Sequence, residues 1–366
     1  MQDLNLVFAQ NMRAKRRELG YTQRELAQKL GYSEKAISKW ESACALPPSD
    51  VLVTLAVILR TSIDELMDIK LEPEYFLGID GGGTKTDFAL LDKNNNVVKR
   101  VKLEACNPID IGLEASRSVL ERGIREVCSD IPLRKVSLFA GIAGGGSQET
   151  RTALREFFSS LGFNRFENNN DAVIVALAAL GDDDGISVIM GTGSIIYIKK
   201  DGELSPMGGL GYLFDKGGNG YSLGRDALTA AMLYEDGAAP YTELCRLICE
   251  KTDKKTVRSG LAGYYTLGKR GIAAFAPLVF EAAERGDAVA QQILYDNMGE
   301  MARLLSYARK KMGGERVRAV FTGGLTQRFD ILLPMLKEQL DAADDFDISL
   351  LRHAPAIGAA MLAKKL

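Results

Sequence analysis

One short pattern, present twice, limits the folds open to this chain more than any other feature. Each copy is an apolar strand, a turn rich in Gly and Thr, and a strand that returns; the copies occupy residues 75–92 and 186–198. Short apolar runs with β-branched residues, interrupted by Gly, are typical of antiparallel strand pairs. Each half of the chain beyond residue 75 therefore opens with the same strand, turn and strand.

The first of these turns differs from the two common nucleotide-binding loops. Gly78 and Gly83 have the spacing of a Walker A motif, but Thr84 stands where that motif has Lys. A dinucleotide-binding loop would place a helix after the first strand, whereas a second strand follows here. Both loops are therefore excluded.

Both turns nevertheless suit phosphate. Glycines let backbone N–H groups approach the anion, and hydroxyl and ammonium side chains add donors. A third glycine-containing segment, with Gly323 and Gly324, follows the apolar run 319–321 and suits a base or ribose. Asp80, at the end of the first strand, can hold hydrated Mg²⁺. The predicted phosphate- and nucleotide-binding residues are Gly81, Gly82, Gly83, Thr84, Lys85, Thr86, Gly191, Thr192, Gly193, Ser194, Gly323 and Gly324. A glycine-rich hairpin without a ligand is the alternative for the first turn.

Residues 1–66 have a different pattern, in which apolar residues recur at helical spacing. Thr22 and Glu25 have the spacing of a capping box, in which each side chain binds the other residue's backbone N–H. The predicted helices are Leu4–Leu19, one capped by Thr22, one capped by Ser33, Val51–Leu59 capped by Ser49, and Ile63–Met67. A short turn at Gly31 joins the second helix to the third, which is typical of a helix-turn-helix.

The residues of this segment resemble a known DNA-binding family. The matching runs are Thr22–Ala27, Gly31–Ser33, Ile37–Glu41 and Ile63–Leu66, and they are similar to the XRE, or lambda-repressor/Cro-like, domain. The resemblance implies that the third helix enters the major groove of operator DNA and that the protein binds as a homodimer. It carries over Gln23, Ser33, Lys35, Ser38 and Lys39 as DNA-binding residues. A helical packing module is the alternative.

Charge and cysteine content narrow the class of protein further. The chain carries a net charge of -2, but residues 1–66 hold nine Lys and Arg against eight Asp and Glu, so this part is slightly basic. The five cysteines are scattered without a C-x-x-C, which favours neither disulfides nor zinc; Cys245 and Cys249 are expected to pack on one helix face. Apolar runs are too short to span a bilayer and no secretory signal is recognised, so we expect a cytoplasmic protein without membrane contact.

The body resembles the sugar kinase, Hsp70 and actin superfamily over residues 75–366. The runs Gly78–Thr86, Gly191–Ser194 and Ala319–Leu325 match its phosphate-1, phosphate-2 and adenosine motifs. Within the superfamily the sequence is similar to N-acetylglucosamine kinases and BadF/BadG-type ATPases. The resemblance implies an actin-like, ribonuclease H-like fold of two lobes, with ATP and Mg²⁺ as cofactors. Its predicted parts are the helix-turn-helix 1–66, a linker 67–74, a first lobe 75–180 with 355–366, and a second lobe 181–354.

The same resemblance implies an acceptor site for an amino sugar. Asp171, which opens the apolar stretch Ala172–Leu180, matches the catalytic base of the kinases, with a helix N-cap as the alternative role. The predicted sugar-binding residues are Asn107, Gly144, Asp215 and Lys216. Lys216-Gly217 stands where the kinases have an acidic pair, and Lys cannot accept hydrogen bonds from sugar hydroxyls.

These observations predict a transcription regulator in which a DNA-binding head joins an ATP- and amino-sugar-binding body. Three possibilities stay open at this point: an active amino-sugar kinase, a sensor that binds sugar and ATP without turnover, and an ATPase that takes no sugar. An iron–sulfur activator is disfavoured, because residues 185–195 contain no Cys.

Overall fold

A computed structural model describes residues 4–67 and 72–366 of the chain. It divides into two compact units, Met1–Glu72 and Pro73–Leu366. Within the predicted linker 67–74, residues 68–71 lie outside the described residues. No helix in the described ranges is both long enough and apolar enough to cross a membrane.

Five helices form the described part of the first unit, and capping residues explain where two of them begin or end. Glu25 N donates to Thr22 Oγ1 at 3.1 Å and Thr22 N donates to Glu25 Oε2 at 2.7 Å, which confirms the predicted capping box. Gly31 ends the second helix in the left-handed region, with φ 71°. Ser33 Oγ accepts from Ala36 N at 3.3 Å. The helices are α1 Leu4–Glu18, α2 Gln23–Leu30, α3 Glu34–Glu41, α4 Ser49–Ile58 and α5 Ile63–Met67.

The predicted cap of α4 is wrong. Pro48, rather than Ser49, occupies the N-cap position, and Ser49 is the first helical residue. Pro48 has an extended backbone, with ψ 153°, and its carbonyl accepts from Val51 N and Leu52 N at 3.0 Å. Ser49 therefore has helical geometry, and no side-chain cap is formed.

The second unit contains two five-stranded sheets with the same order. The first sheet runs β3-β2-β1-β4-β5 and the second β8-β7-β6-β9-β10. In each, the first three strands in sequence form an antiparallel meander and the next two add in parallel. The strands are β1 Tyr75–Gly81, β2 Lys85–Asp92, β3 Val97–Glu104, β4 Val136–Ile142, β5 Arg165–Asn169, β6 Gly185–Met190, β7 Ser194–Lys200, β8 Glu203–Gly208, β9 Val317–Thr322 and β10 Phe346–Leu350. The predicted fold class, a helical domain followed by an actin-like α/β body, is confirmed.

Helices cover these sheets, and six of them lie in sequence between β8 and β9. They are α6 Pro108–Ile111, α7 Leu113–Cys128, α8 Gln148–Ser160, α9 Asp171–Leu180, α10 Gly220–Glu235, α11 Leu244–Thr252, α12 Leu261–Tyr264, α13 Gly268–Ala273, α14 Ala276–Glu284, α15 Ala288–Met312, α16 Phe329–Gln339 and α17 Pro355–Ala363. Cys245 and Cys249 both lie on α11 and are partly buried against the core of the second sheet.

The C-terminal helix α17 packs against the first sheet. Its Ala359 and Ala360 are buried together with Phe76 of β1. The approach is so close that a Cβ built on Gly78 would lie 1.9 Å from the carbonyl oxygen of Ala356. Glycine is therefore required at this point of β1. The predicted lobe boundaries near residues 180 and 354 stay predictions.

Candidate functional site

The two glycine turns and the glycine pair at residues 323–324 contribute to the lining of one cavity of about 630 Å³. Thr84 and Lys85 line it from the first turn, Gly191 and Thr192 from the second, and Gly324 from the segment after β9. These residues lie far apart in sequence. Only the tertiary fold brings them to one cavity.

The second turn is held by the start of α10. Gly220 N donates to the carbonyl of Gly191 at 2.8 Å, and Tyr221 N donates to that of Thr192 at 3.0 Å. Gly323 lies against the end of β6, where a Cβ would be 2.3 Å from the carbonyl oxygen of Met190, and its φ is +106°. Only glycine fits both this contact and this backbone conformation.

Two lining residues that sequence reasoning missed form a wall of this cavity. Phe280 belongs to α14, and the guanidinium carbon of Arg328 lies 5.3 Å from the centroid of its ring. Arg328 also pairs with Glu284 on the same helix. An aromatic face beneath a cation suits a planar base. No local motif marks Phe280 or Arg328, since the two meet only through tertiary packing.

A second cavity, of about 590 Å³, contains the predicted catalytic base. Asp171, Asp215 and Lys269 contribute its charged side chains, and Gly193 and Ser194 line it from the second turn. The four residues of that turn are therefore divided between the two cavities, since Gly191 and Thr192 line the first and Gly193 and Ser194 the second.

Asp171 is the first residue of α9, and the N-cap is its neighbour Asn170. Asn170 Oδ1 and Asp171 Oδ1 both accept from Ala172 N at 2.9 Å. Burial raises the pKa of Asp171, while the Ala172 N–H and the charge of Lys269 oppose the shift. A carboxylate with a raised pKa is a better proton acceptor than an ordinary one.

Asp80 lies near the end of β1, in register with Asp87 of β2. Burial, together with the charges of Asp171 and Asp87, raises the pKa of Asp80 to about 7. No group of three or more acidic, Cys or His side chains that could hold a metal is found in residues 4–67 and 72–366. The half-buried carboxylate of Asp80 fits Mg²⁺, which keeps several waters and is bound mainly by substrate phosphates. Asp80 is thus the residue that would hold the ion.

The predicted sugar-binding residues are not all brought together. Asp215 lines the second cavity, and its Oδ1 accepts from Leu210 N at 3.0 Å. Lys216 is exposed and lies outside the set of described residues lining that cavity. Asp215, one position before Lys216 in the chain, is therefore the charged residue of this segment that lines the cavity.

Asn107 and Gly144 lie beside each other, and neither is among the described residues that line the two cavities. Asn107 is buried; its Oδ1 accepts from Ile109 N at 3.0 Å and its Nδ2 donates to Asp110 at 2.9 Å. A Cβ on Gly144, whose φ is +78°, would lie 2.2 Å from Asn107 Oδ1. In this conformation Asn107 caps α6, and its predicted contact with sugar stays a prediction.

A buried polar network supports the second turn from behind. Asn219 Nδ2 donates to Ser194 Oγ at 3.3 Å and to the carbonyl of Gly217 at 3.2 Å. Asn297 Oδ1 accepts from Gly218 N at 3.1 Å and also from Ser222. The segment that departs from the kinase pattern is therefore part of the support of Ser194.

In the first unit, the predicted DNA-binding side chains lie on or before α3. Ser33, Lys35, Ser38 and Lys39 are exposed. Gln23 is half-buried, and its Nε2 donates to Glu41 Oε2 at 2.8 Å. Glu41 is also bound by Arg16, whose Nη2 donates to the same oxygen at 2.9 Å. The ion pair joins α1 to the last residue of α3, and the exposed side chains of Lys35, Ser38 and Lys39 take no part in it.

These features define a class of protein: a helix-turn-helix unit followed by a two-lobed actin-like ATPase. The match to known families is more specific. The chain belongs to the BadF/BadG/BcrA/BcrD ATPase family, whose sequence profile matches residues 77–363. A helix-turn-helix profile matches residues 12–66.

Curated relatives match the body along nearly all of their own length. An N-acetyl-D-glucosamine kinase of Dictyostelium discoideum is 28% identical over 311 residues, which cover 79% of this chain and 98% of the relative. An N-acetylmuramic acid/N-acetylglucosamine kinase of Clostridium acetobutylicum is 27% identical over 301 residues, which cover 80% and 98%.

Two solved structures share the fold. A ROK family glucokinase from Streptomyces griseus has a TM-score of 0.53 and 16% identity, covering 80% of this chain and 100% of the glucokinase. A ROK family transcriptional regulator, described as a homolog of the E. coli MLC protein, has a TM-score of 0.54 and 14% identity, covering 100% and 96%. At this identity the likeness concerns the fold alone.

Proposed function

We propose that this protein is a DNA-binding transcription regulator whose body binds ATP and an amino sugar and phosphorylates the sugar. One observation carries the kinase part: residues 191–194 line both cavities. A terminal phosphate held at this turn would lie beside the cavity that contains Asp171. Two substrates on either side of one phosphate-binding turn are the arrangement that phosphoryl transfer needs.

The residues divide the chemistry between them. Backbone N–H groups of the two turns hold the phosphates, with Thr84 and Lys85 as further donors. Asp171 accepts the proton of the attacking sugar hydroxyl, and Asp215 accepts a hydrogen bond from another hydroxyl. Asp80 would hold Mg²⁺, which neutralises phosphate charge when it is bound. The kinase names of the two curated relatives, which match over 98% of their lengths, support an amino sugar as acceptor.

The kinase part is tested with a coupled assay for ADP release on the full chain. The acceptor panel contains N-acetylglucosamine, N-acetylmuramic acid and glucosamine. Replacing Asp171 with Asn is expected to lower kcat by about 10²–10⁴-fold, because the general base is lost, while ATP binding persists. Asp344→Asn, an exposed carboxylate before β10, is the matched control and keeps full activity. If the wild type binds sugar and ATP but phosphorylates no acceptor, the kinase proposal is rejected and the body is a sensor.

The regulator part rests on the exposed polar face of α3. Because helix-turn-helix domains commonly bind half-sites as dimers, we expect a homodimer in which closure of the lobes around ATP and sugar alters operator affinity.

The DNA-binding test is the salt dependence of binding to random-sequence duplex DNA. The double variant Lys35→Met, Lys39→Met is expected to lower the slope of log K against log salt by about 2, since each phosphate contact contributes about 0.9. Lys311→Met, at an exposed position of α15, leaves the slope unchanged. An equal slope in the double variant and the wild type would reject α3 as the DNA-binding helix.

A further inference from the structure

The short helix α13 carries two adjacent cations, Lys269 and Arg270, which lie at different parts of the candidate site. Lys269 lines the cavity that contains Asp171 and Ser194. Arg270 reaches the first glycine turn, where a Cβ built on Gly83 would lie 2.1 Å from its Nη2. The same guanidinium pairs with Asp110 of α6. Both side chains therefore lie beside turns that the sequence marks for phosphate.

Lys269 is the single cation among the described residues that line the second cavity, which contains Asp171. It faces a site with two carboxylates, Asp171 and Asp215, and a phosphate-binding turn. Its charge acts on Asp171 directly, since it lowers the pKa of that carboxyl against the effect of burial. Lys269 is thus close enough to Asp171 for the two charges to interact.

Phosphoryl transfer creates a need for positive charge at this place. Negative charge on the transferring group is spread over its equatorial oxygens, and catalysis of the step is mostly positioning and electrostatic stabilisation. The turn supplies neutral N–H donors, and the nearby carboxylates add negative charge. A cation on the sugar side of the turn would supply the positive charge that these groups lack.

We propose that Lys269 is a catalytic residue that donates hydrogen bonds to the transferring phosphoryl group. This inference rests on the proposed kinase function. In the step, the sugar oxygen forms a bond to the γ-phosphorus while the bond to the β-phosphate oxygen breaks, and ADP leaves with that electron pair. The hydroxyl proton goes to Asp171, and Lys269 keeps its protons throughout.

The position of Lys269 argues against contact with an acidic group on the sugar. It shares the cavity with Gly193 and Ser194, which directly follow Gly191 and Thr192 of the nucleotide cavity in the same turn, and its neighbour Arg270 lies at the first turn. A lysine that binds a sugar carboxylate would affect KM for acidic sugars, whereas one that binds the transferring phosphoryl affects kcat for every acceptor.

The test uses Lys269→Met in the full chain, with the same acceptor panel and ADP-release assay. We expect kcat to fall about 10²-fold for acidic and neutral sugars alike, with KM for sugar and ATP within about threefold of wild type. Lys269→Arg, which keeps the charge, is expected to recover part of kcat. Lys254→Met, at an exposed position after α11, is the matched control.

The outcomes separate this inference from the function on which it rests. An active wild type with an unchanged kcat in Lys269→Met overturns the role of Lys269 and leaves the kinase function intact. A raised KM for N-acetylmuramic acid alone, at constant kcat, also overturns it in favour of a carboxylate contact. A wild type inactive with every acceptor overturns both. Because Lys269 is exposed, the fold should persist, and Lys269→Gln with ATP affinity as a second readout checks this.

Discussion

In the first unit, a buried ion pair connects two helices. In the body, two glycines are packed against the backbone of other elements. Arg16 and Glu41 are 7% and 8% exposed, and they connect α1 to the end of α3. In the body, Gly78 lies against α17 and Gly323 lies against the end of β6, each at a distance that leaves no room for a methyl group.

This difference shows that the two units depend on different forces. A buried charge is stable only while its partner is present and ionised. A glycine contact depends on volume and is indifferent to pH. Loss of one charge should therefore affect the first unit, and addition of one methyl group should affect the body. Trp40, the single tryptophan of the chain, is buried in the first unit and reports on it selectively.

The largest effect is expected for Glu41→Gln, which leaves the Arg16 charge buried without a counter-ion. Removal of one partner of a buried pair costs about 3–5 kcal/mol of unfolding free energy. The measurement is urea unfolding of the full chain, followed by Trp40 fluorescence. Glu34→Gln changes an exposed carboxylate on the same helix and should leave the midpoint unaltered. An equal midpoint for both variants would show that the pair is not what stabilises this unit.

The same pair predicts how acid affects the first unit. Burial by itself would raise the pKa of Glu41, but hydrogen bonds from Arg16 and Gln23, and the charges of Arg16 and Arg13, hold it below its usual value. A carboxyl with a lowered folded-state pKa contributes stability above its unfolded pKa and loses it as pH falls through the folded value. Trp40-detected stability should therefore decrease below about pH 4, and less steeply in Glu41→Gln.

A smaller effect, confined to the body, is expected for Gly78→Ala. The added methyl group would meet backbone atoms of α17, which must shift, at a cost of about 2–3 kcal/mol. Far-UV circular dichroism in urea should show an earlier transition of the body, while the Trp40 transition stays in place. Gly263→Ala, where a Cβ meets no atom within 4 Å, is the control. A shift of the Trp40 transition in Gly78→Ala would end the distinction between the two units.

Local patterns in the sequence were sufficient for much of the fold. The capping box of Thr22 and Glu25 and the turn at Gly31 involve residues within four positions of one another, so their geometry follows from spacing alone. Ser49 was assigned wrongly because Pro48 is also able to take the extended N-cap conformation, and the first helical position accepts Ser as well. Such errors of one residue are inherent in reading helix ends from sequence.

The residues of the candidate site also fall into those that the sequence predicted and those that it did not. The two glycine turns and Asp171 were predicted, because strand, turn and helix start leave a local signature. Phe280, Arg328 and Lys269 were not, because nothing in their own segments marks them. Asp215 and Lys216 were both predicted to bind sugar; of the two, Asp215 is among the described residues that line the cavity, and the contact of Lys216 with sugar stays a prediction.

By itself, the sequence determined that this chain has a helical DNA-binding unit, a duplicated α/β body and two glycine turns suited to phosphate. Spacing along the chain carries that information, since helix caps, strand alternation and tight turns depend on neighbouring residues. Only the tertiary structure decided that one turn serves two cavities and that α13 brings Lys269 to Asp171. Contacts between distant segments depend on how helices pack on the sheets, and no local pattern specifies that packing.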